Sequence, residues 1–218
     1  MDWRILRFEQ LDSTQRWLCR QAQAEQEGLC VVAGTQTEGV GRQQRNWHSE
    51  LGGLYLSFLL KPKRLLPELP WALSWAVWSA LEACSGLELT LKAPNDLLLQ
   101  GRKLAGTLID SRILGRIPLY YVCGLGVNLN QTEFPPSLRA ADGAGATSLR
   151  QVTGKCVDSE RFVTALLGQF AGCYEKLCGD GFEHSLLLAL GGRRVQIGYN
   201  GQAFISFEEY WHGRNGLG

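Results

Sequence analysis

Residues 92–106 read KAPNDLLLQGRKLAG, and this stretch decides the fold. Two short apolar runs, 97–100 and one opening at Leu104, are separated by Gly101-Arg102, and Pro94-Asn95-Asp96 stands ahead of the first. Turn residues between apolar runs of strand length predict antiparallel hairpins. Pro94 fixes its own φ at about −65° and keeps Ala93 extended, so Lys92, Asn95 and Asp96 are held at a corner between strands. Working outward, 89–92 is strand-like, and 104–111 and 118–129 flank a second turn at Gly115-Arg116. Further strands are expected at 4–8, 29–35 and 54–60, and short ones return from Arg193 (RVQIGY, QAFISF). Asp12-Ser13-Thr14 supplies cap oxygens for a helix to about Ala24. Trp71, Trp75 and Trp78 recur at helical spacing in a helix over 70–84 and are expected in the core. Helices are also predicted at 158–178 and 181–190, and a loop at 143–147. The expected fold class is α+β: a mixed, largely antiparallel sheet with helices packed on one face.

Composition bounds the function. The 218 residues carry 22 Lys+Arg against 21 Asp+Glu, a net charge of +1, which excludes the broad basic field of a nonspecific nucleic-acid binder. Seven cysteines, an odd number without a C-x-x-C pair, read as reduced, buried small hydrophobes of a cytoplasmic protein. The N-terminus lacks the basic and apolar regions of a signal peptide, and no window reaches about 18 uninterrupted apolar residues, so no membrane span is expected. The length fits one domain, 1–188, plus a small segment, 189–218, too short for a core of its own.

Four segments carry candidate chemistry. GVGRQQRNW at 39–47 combines Gly39 and Gly41, which let a backbone approach phosphate, with Arg42 and Arg45 as bidentate donors and Trp47 as a stacking face. It matches neither standard phosphate-loop pattern, and a solvated connection is the other reading. Pro94-Asn95-Asp96 is either a site corner or an ordinary turn. Lys103 opens a strand and is either a ligand contact or an edge residue. Gly124-Leu125-Gly126 inside an apolar strand marks a bulge or a close backbone approach. His48 beside the loop reads as solvent-facing.

Taken together and in this order, these segments resemble the biotin protein ligase family. The resemblance rests on Asp12-Ser13-Thr14, on 39–47, on Leu54-Tyr55-Leu56-Ser57, on KAPNDLLLQGRKLAG at 92–106 and on GLGVNLN at 124–130, and extends over residues 5–185. It implies the class II synthetase-like biotin/lipoate ligase fold, with residues 189–218 as a partial SH3-like segment. It also implies an ATP- and Mg²⁺-dependent enzyme that activates biotin as biotinyl-AMP and transfers it to a lysine of a biotin carboxyl carrier protein of a carboxylase.

By the same resemblance Ser13, Thr14, Gln15 and Gln36 would line the ureido end of a biotin pocket. Gly39, Val40, Gly41 and Arg42 would form the loop closing over it, and Lys103 would bind the biotin carboxylate. Arg45, Trp47, Lys92, Asn95, Asp96 and Asn128 would meet ATP, with Asp96 as the magnesium contact; Lys103 and Arg42 would carry the catalytic charge. A homodimer is expected; DNA and membranes are not expected as partners. The chain departs from the family pattern at Gln15 (often Asn), Val40 (often Arg), Gln44 (often Gly), Gly53 (often Asn) and Ala93 (usually Trp), changes that bear on loop closure and ATP. The alternatives are a lipoyl or octanoyl transferase on the same scaffold, and a non-catalytic protein that binds biotin or a nucleotide.

Overall fold

Strand register sets which way each side chain points, so the sheet is the frame for the site. The computed structural model describes residues 1–138, 145–179, 193–197 and 203–206. Its strands are β1 (Arg4–Leu11), β2 (Leu29–Gln36), β3 (Gly53–Leu60), β4 (Thr90–Lys92), β5 (Asp96–Leu99), β6 (Arg102–Leu114), β7 (Ile117–Asn128), β8 (Arg194–Ile197) and β9 (Ala203–Ser206). They form one sheet in the order β1-β2-β3-β7-β6-β5-β4-β8-β9. The pairs β1–β2 and β4–β8 are parallel; the expected hairpins β4–β5, β5–β6 and β6–β7 are antiparallel. The mixed α+β sheet is therefore as the sequence predicts.

The helices are α1 (Thr14–Gln21), α2 (Leu69–Ser85), α3 (Leu149–Thr153) and α4 (Ser159–Cys178). Alternation divides the strands between two cores. Leu54, Leu56, Phe58 and Leu60 of β3 join Cys123, Leu125 and Val127 of β7 beneath α2 and α4. Leu59 and Val122, one residue out of step, pack instead with Leu18 and Ala22 at α1. Two helices thus share a face as expected, and α1 departs from that expectation by covering the other.

Helix α2 is apolar almost all round because it lies between the sheet and α4. Trp71 and Trp78 are fully within the core, and Trp75 packs at its margin. Helix α1 begins at the expected cap, where Ser13 Oγ accepts from Arg16 N, and ends three residues earlier than predicted. Helix α3 was not predicted; it is a single turn capped by Ser148. Strand β8 joins the main sheet through Leu91–Val195 and Lys92–Gln196, and Val195 is buried. The helix predicted at 181–190 and the tail from 207 lie outside the described residues, as do 143 and 144. The cysteines need correction: all are free, but Cys84, Cys156 and Cys178 are exposed and Cys19 is only partly covered. Among the described residues no helix is long and apolar enough to cross a membrane.

Candidate active site

Three glycines of β6 and β7 make the floor of a cleft. Asp96, Gly106, Gly126 and Tyr55 lie in one register row across β5, β6, β7 and β3, and Leu108, Gly124 and Ser57 form the next. Both rows are on the α1 face. A Cβ at Gly126 would come within 2.3 Å of the Trp47 ring, and one at Gly106 within 2.9 Å of it. A Cβ at Gly124 would come within 2.2 Å of Gln15 Oε1. The glycines are thus the close approach their positions in an apolar strand suggest. The cleft above them encloses about 430 Å³ of empty space, part of it open to solvent.

At one end, the first turn of α1 meets β2 and β3. Thr14 N donates to Gln36 Oε1 at 2.8 Å, and Thr14 Oγ1 lies 2.9 Å from Ser57 Oγ. Ser57 Oγ donates to Gln15 Oε1 at 3.0 Å, while Gln36 Nε2 donates to Ser49 Oγ at 2.8 Å. Ser13, Thr14, Gln15, Ser49 and Ser57 are all buried. Such a network is tolerated in a buried place only because its members satisfy one another.

At the other end the groups are charged and more exposed. Lys103 Nζ sits 3.0 Å from Asp96 Oδ2 and 5.0 Å from the centroid of the Trp47 ring. Arg42 Nη1 donates to Asn95 Oδ1 at 2.5 Å, and Asn95 Nδ2 donates to Asp96 Oδ1 at 2.9 Å. The corner that carries Asn95 and Asp96 is anchored twice: Ser74 Oγ of α2 donates to Pro94 O at 3.0 Å, and Thr107 N donates to Asn95 O at 2.9 Å. The indole N–H of Trp47 is buried without an acceptor among the described residues.

A bulge aims Lys103. Strict alternation would put it on the same side as Ala105, under α2. Leu97 pairs with Ala105 but Leu98 pairs with Lys103, so Leu104 is an extra residue and the strand changes phase there. Lys103 therefore faces the cleft, the re-aiming that bulges perform. Its backbone is held while the side chain points out: its N–H donates to Gly145 O at 2.8 Å, and its carbonyl accepts from Thr147 N at 2.9 Å and Asn128 Nδ2 at 3.3 Å.

Of the candidate residues, Ser13, Thr14, Gln15, Gln36, Val40, Gly41, Arg42, Trp47, Asn95, Asp96 and Lys103 line this one cleft. Gly39, Arg45, Lys92 and Asn128 do not. Gly39 is buried where a Cβ would meet the Trp47 carbonyl at 2.4 Å, so it shapes the loop. Arg45 is exposed, Lys92 stands opposite Asp96 in the β4–β5 register, and Asn128 donates to the Lys103 carbonyl. His48 is partly buried. Ser57, Thr107, Leu108 and Gly106 line the cleft without having been given a role from sequence. Gly53 also has a reason: the Tyr55 hydroxyl occupies the place its Cβ would take.

Asp96 is the one carboxylate among the described residues lining the cleft, and they include no cluster of three His, Cys, Asp or Glu side chains. That donor set fits a magnesium ion carried in on phosphates, which needs only one or two protein carboxylates, and not a resident metal.

Comparison with known proteins agrees with this geometry. The model of the biotin/lipoate A/B protein ligase family matches residues 7–128. The chain is 34% identical over 164 residues to the bifunctional ligase/repressor BirA of Bacillus subtilis (strain 168), covering 72% of this chain and 48% of that protein. It is 32% identical over 158 residues to the biotin–[acetyl-CoA-carboxylase] ligase of Paracoccus denitrificans, covering 70% and 65%. The chain thus spans about half the length of the BirA relatives it matches. Among solved structures, biotin protein ligase from Aquifex aeolicus in complex with biotin and ATP matches with a TM-score of 0.73 at 30% identity, over 93% of this chain and 84% of that one.

Proposed function

The chain belongs to the biotin/lipoate A/B protein ligase family, and from that premise we propose that it joins biotin, through biotinyl-AMP, to a lysine of a carboxylase carrier protein. The observation that carries this reading is the convergence of three distant segments on one cleft, with Lys103 Nζ placed between Asp96 and Trp47. A neutral polar network closes one end, and cations paired with side chains of the 92–96 corner stand at the other.

The chemistry follows from charge. The biotin carboxylate attacks the α-phosphorus of ATP against repulsion between anions, so cations aimed at the transition state are the effective lever. Lys103 and Arg42 would hold carboxylate and phosphate together once they exchange Asp96 and Asn95 for the ligands. Asp96 and the ATP phosphates would hold Mg²⁺, which supplies charge neutralisation on departing pyrophosphate. Loop 39–47, with Trp47 over the glycine floor, would keep water from the mixed anhydride. The lysine amine of the carrier then attacks the acyl carbon and AMP leaves.

The reading includes a catalytic unit at 1–188, a partial C-terminal segment at 189–218, and action in the cytoplasm. Incubation with biotin, Mg-ATP and a carrier domain tests it: biotinyl-adenylate and labelled carrier are expected, and the absence of both refutes it. Octanoate and lipoate in parallel reactions test the transferase alternative; binding of biotin without turnover would favour the non-catalytic one.

A further inference from the structure

Gln15 is 3% exposed, and its amide nitrogen has both protons committed. One goes to Asp110 Oδ2 at 2.8 Å and the other to Val122 O at 3.0 Å. The two acceptors come from a single register position, because Asp110 and Val122 are paired across β6 and β7. Turning the amide over would set its oxygen against a carboxylate and a carbonyl with no proton between them, so the orientation is fixed. Oε1 then points to Ser57, whose hydroxyl donates to it at 3.0 Å, and lies over Gly124. A carbonyl oxygen has two lone pairs and Ser57 takes one. Gln15 therefore offers the cleft an acceptor and no free N–H. Asp110 is outside the cleft lining and exposed, with Cys19 Sγ 3.9 Å away as its other neighbour.

We propose that Asp110 is a positioning residue: it holds the Gln15 amide so that the buried end of the cleft selects an acid whose head group carries N–H donors, a cyclic urea, over one ending in an alkyl chain or a dithiolane. The proposal rests on the reading of the cleft given above and adds the group that sets its specificity. Gln15 and Asp110 together span a fixed distance, a long amide meeting a short acid. Moving one methylene from one side chain to the other should preserve that span.

Calorimetric titration of the full chain with biotin, octanoate and ATP tests this. Asp110→Ala, an exposed strand position, should weaken biotin by about fivefold to tenfold, as expected for loss of a charge-assisted hydrogen bond. Octanoate and ATP should stay within about twofold, the range of ordinary surface substitutions. Gln15→Asn should lose biotin affinity likewise, and Gln15→Asn with Asp110→Glu should recover most of it. In turnover, KM for biotin should rise in Asp110→Ala while KM for ATP does not. Unchanged biotin affinity in Asp110→Ala, equal losses for all three ligands, or a double variant no better than Gln15→Asn each overturn the positioning role. If the unaltered chain binds octanoate but not biotin, the assignment of the cleft to biotin falls with it; if biotin binds regardless of residue 110, only the positioning role falls.

Discussion

At the α1 end of the cleft the polar side chains are buried and commit their donors to one another, with Gln15 held by Asp110, Val122 and Ser57. At the loop end Arg42 is exposed and Lys103 partly so, each paired with a side chain of the 92–96 corner. The first end is finished before any ligand arrives. The second is a set of exchangeable pairs, and exposed ion pairs are worth only about 0–1 kcal/mol, so trading Asp96 for a ligand anion costs Lys103 little. The difference teaches how one cleft can be selective and reactive together: rigidity sits where a neutral ring would be recognised, and freedom sits where charge has to move.

Removing Lys103 should give the largest effect, because its Nζ is the cation held between Asp96 and the Trp47 ring at the centre of the charged end. Lys103→Ala is expected to slow adenylate formation by about a hundredfold or more, the usual cost of deleting a charge-stabilising group, read by biotin-dependent pyrophosphate exchange. A loss below about tenfold would mean that the loop end is not where charge is handled.

A paired substitution sharpens the contrast between the buried and the exposed end. At Gly124 a new methyl meets the Gln15 amide, which is tied at three points and cannot withdraw. Gly124→Ala should therefore lower unfolding stability by about 1–3 kcal/mol, as overpacking does, and weaken biotin. At Gly126 the methyl meets the ring of Trp47, a side chain carried by the exposed loop and tied by no side-chain hydrogen bond among the described residues, so relief by displacement of the ring is expected there. Gly126→Ala should leave the melting temperature nearly unchanged and raise the KM for ATP by about tenfold, equivalent to roughly 1.4 kcal/mol. Equal losses of stability in the two variants would break the comparison.

How much of this was legible in sequence follows the same division. The hairpin turn at Gly115-Arg116, the Ser13 cap and the glycines at 124 and 126 are local signals that appear where the sequence puts them, and the turn expected at Gly101-Arg102 lies one residue earlier, at Gln100-Gly101, because Arg102 already pairs with Leu99. The face on which a residue lands is not local. Lys103 reaches the cleft because Leu104 is looped out of register against β5, a pairing that no alternation within β6 reveals. Asp110 escaped notice because it acts through Gln15, 95 positions away in sequence. Helix α1 lies opposite α2 and α4 because Leu59 and Val122 are apolar on strands whose other residues are also apolar; strands buried on both sides carry no record of which side a helix takes. Asn128 and Lys92 stand just outside the lining of the cleft, Asn128 donating to the Lys103 carbonyl and Lys92 opposite Asp96 in the register.

The smallest expected effect comes from the loop itself. Gln43 and Gln44 both have φ of +57°, the left-handed region that glycine occupies freely and other residues rarely enter. Gln44→Gly relieves a local cost of about 1 kcal/mol, but it also gives the unliganded loop more conformations to lose on closing, a penalty of about 0.5–1 kcal/mol. The two nearly cancel. ATP KM should then change by no more than about threefold and the melting temperature should hold, because residues 42–46 are exposed and contribute nothing to either core. A change of tenfold or more would show that the backbone at 43–44 is a fixed part of the site, and the loop end would join the α1 end as a preformed surface.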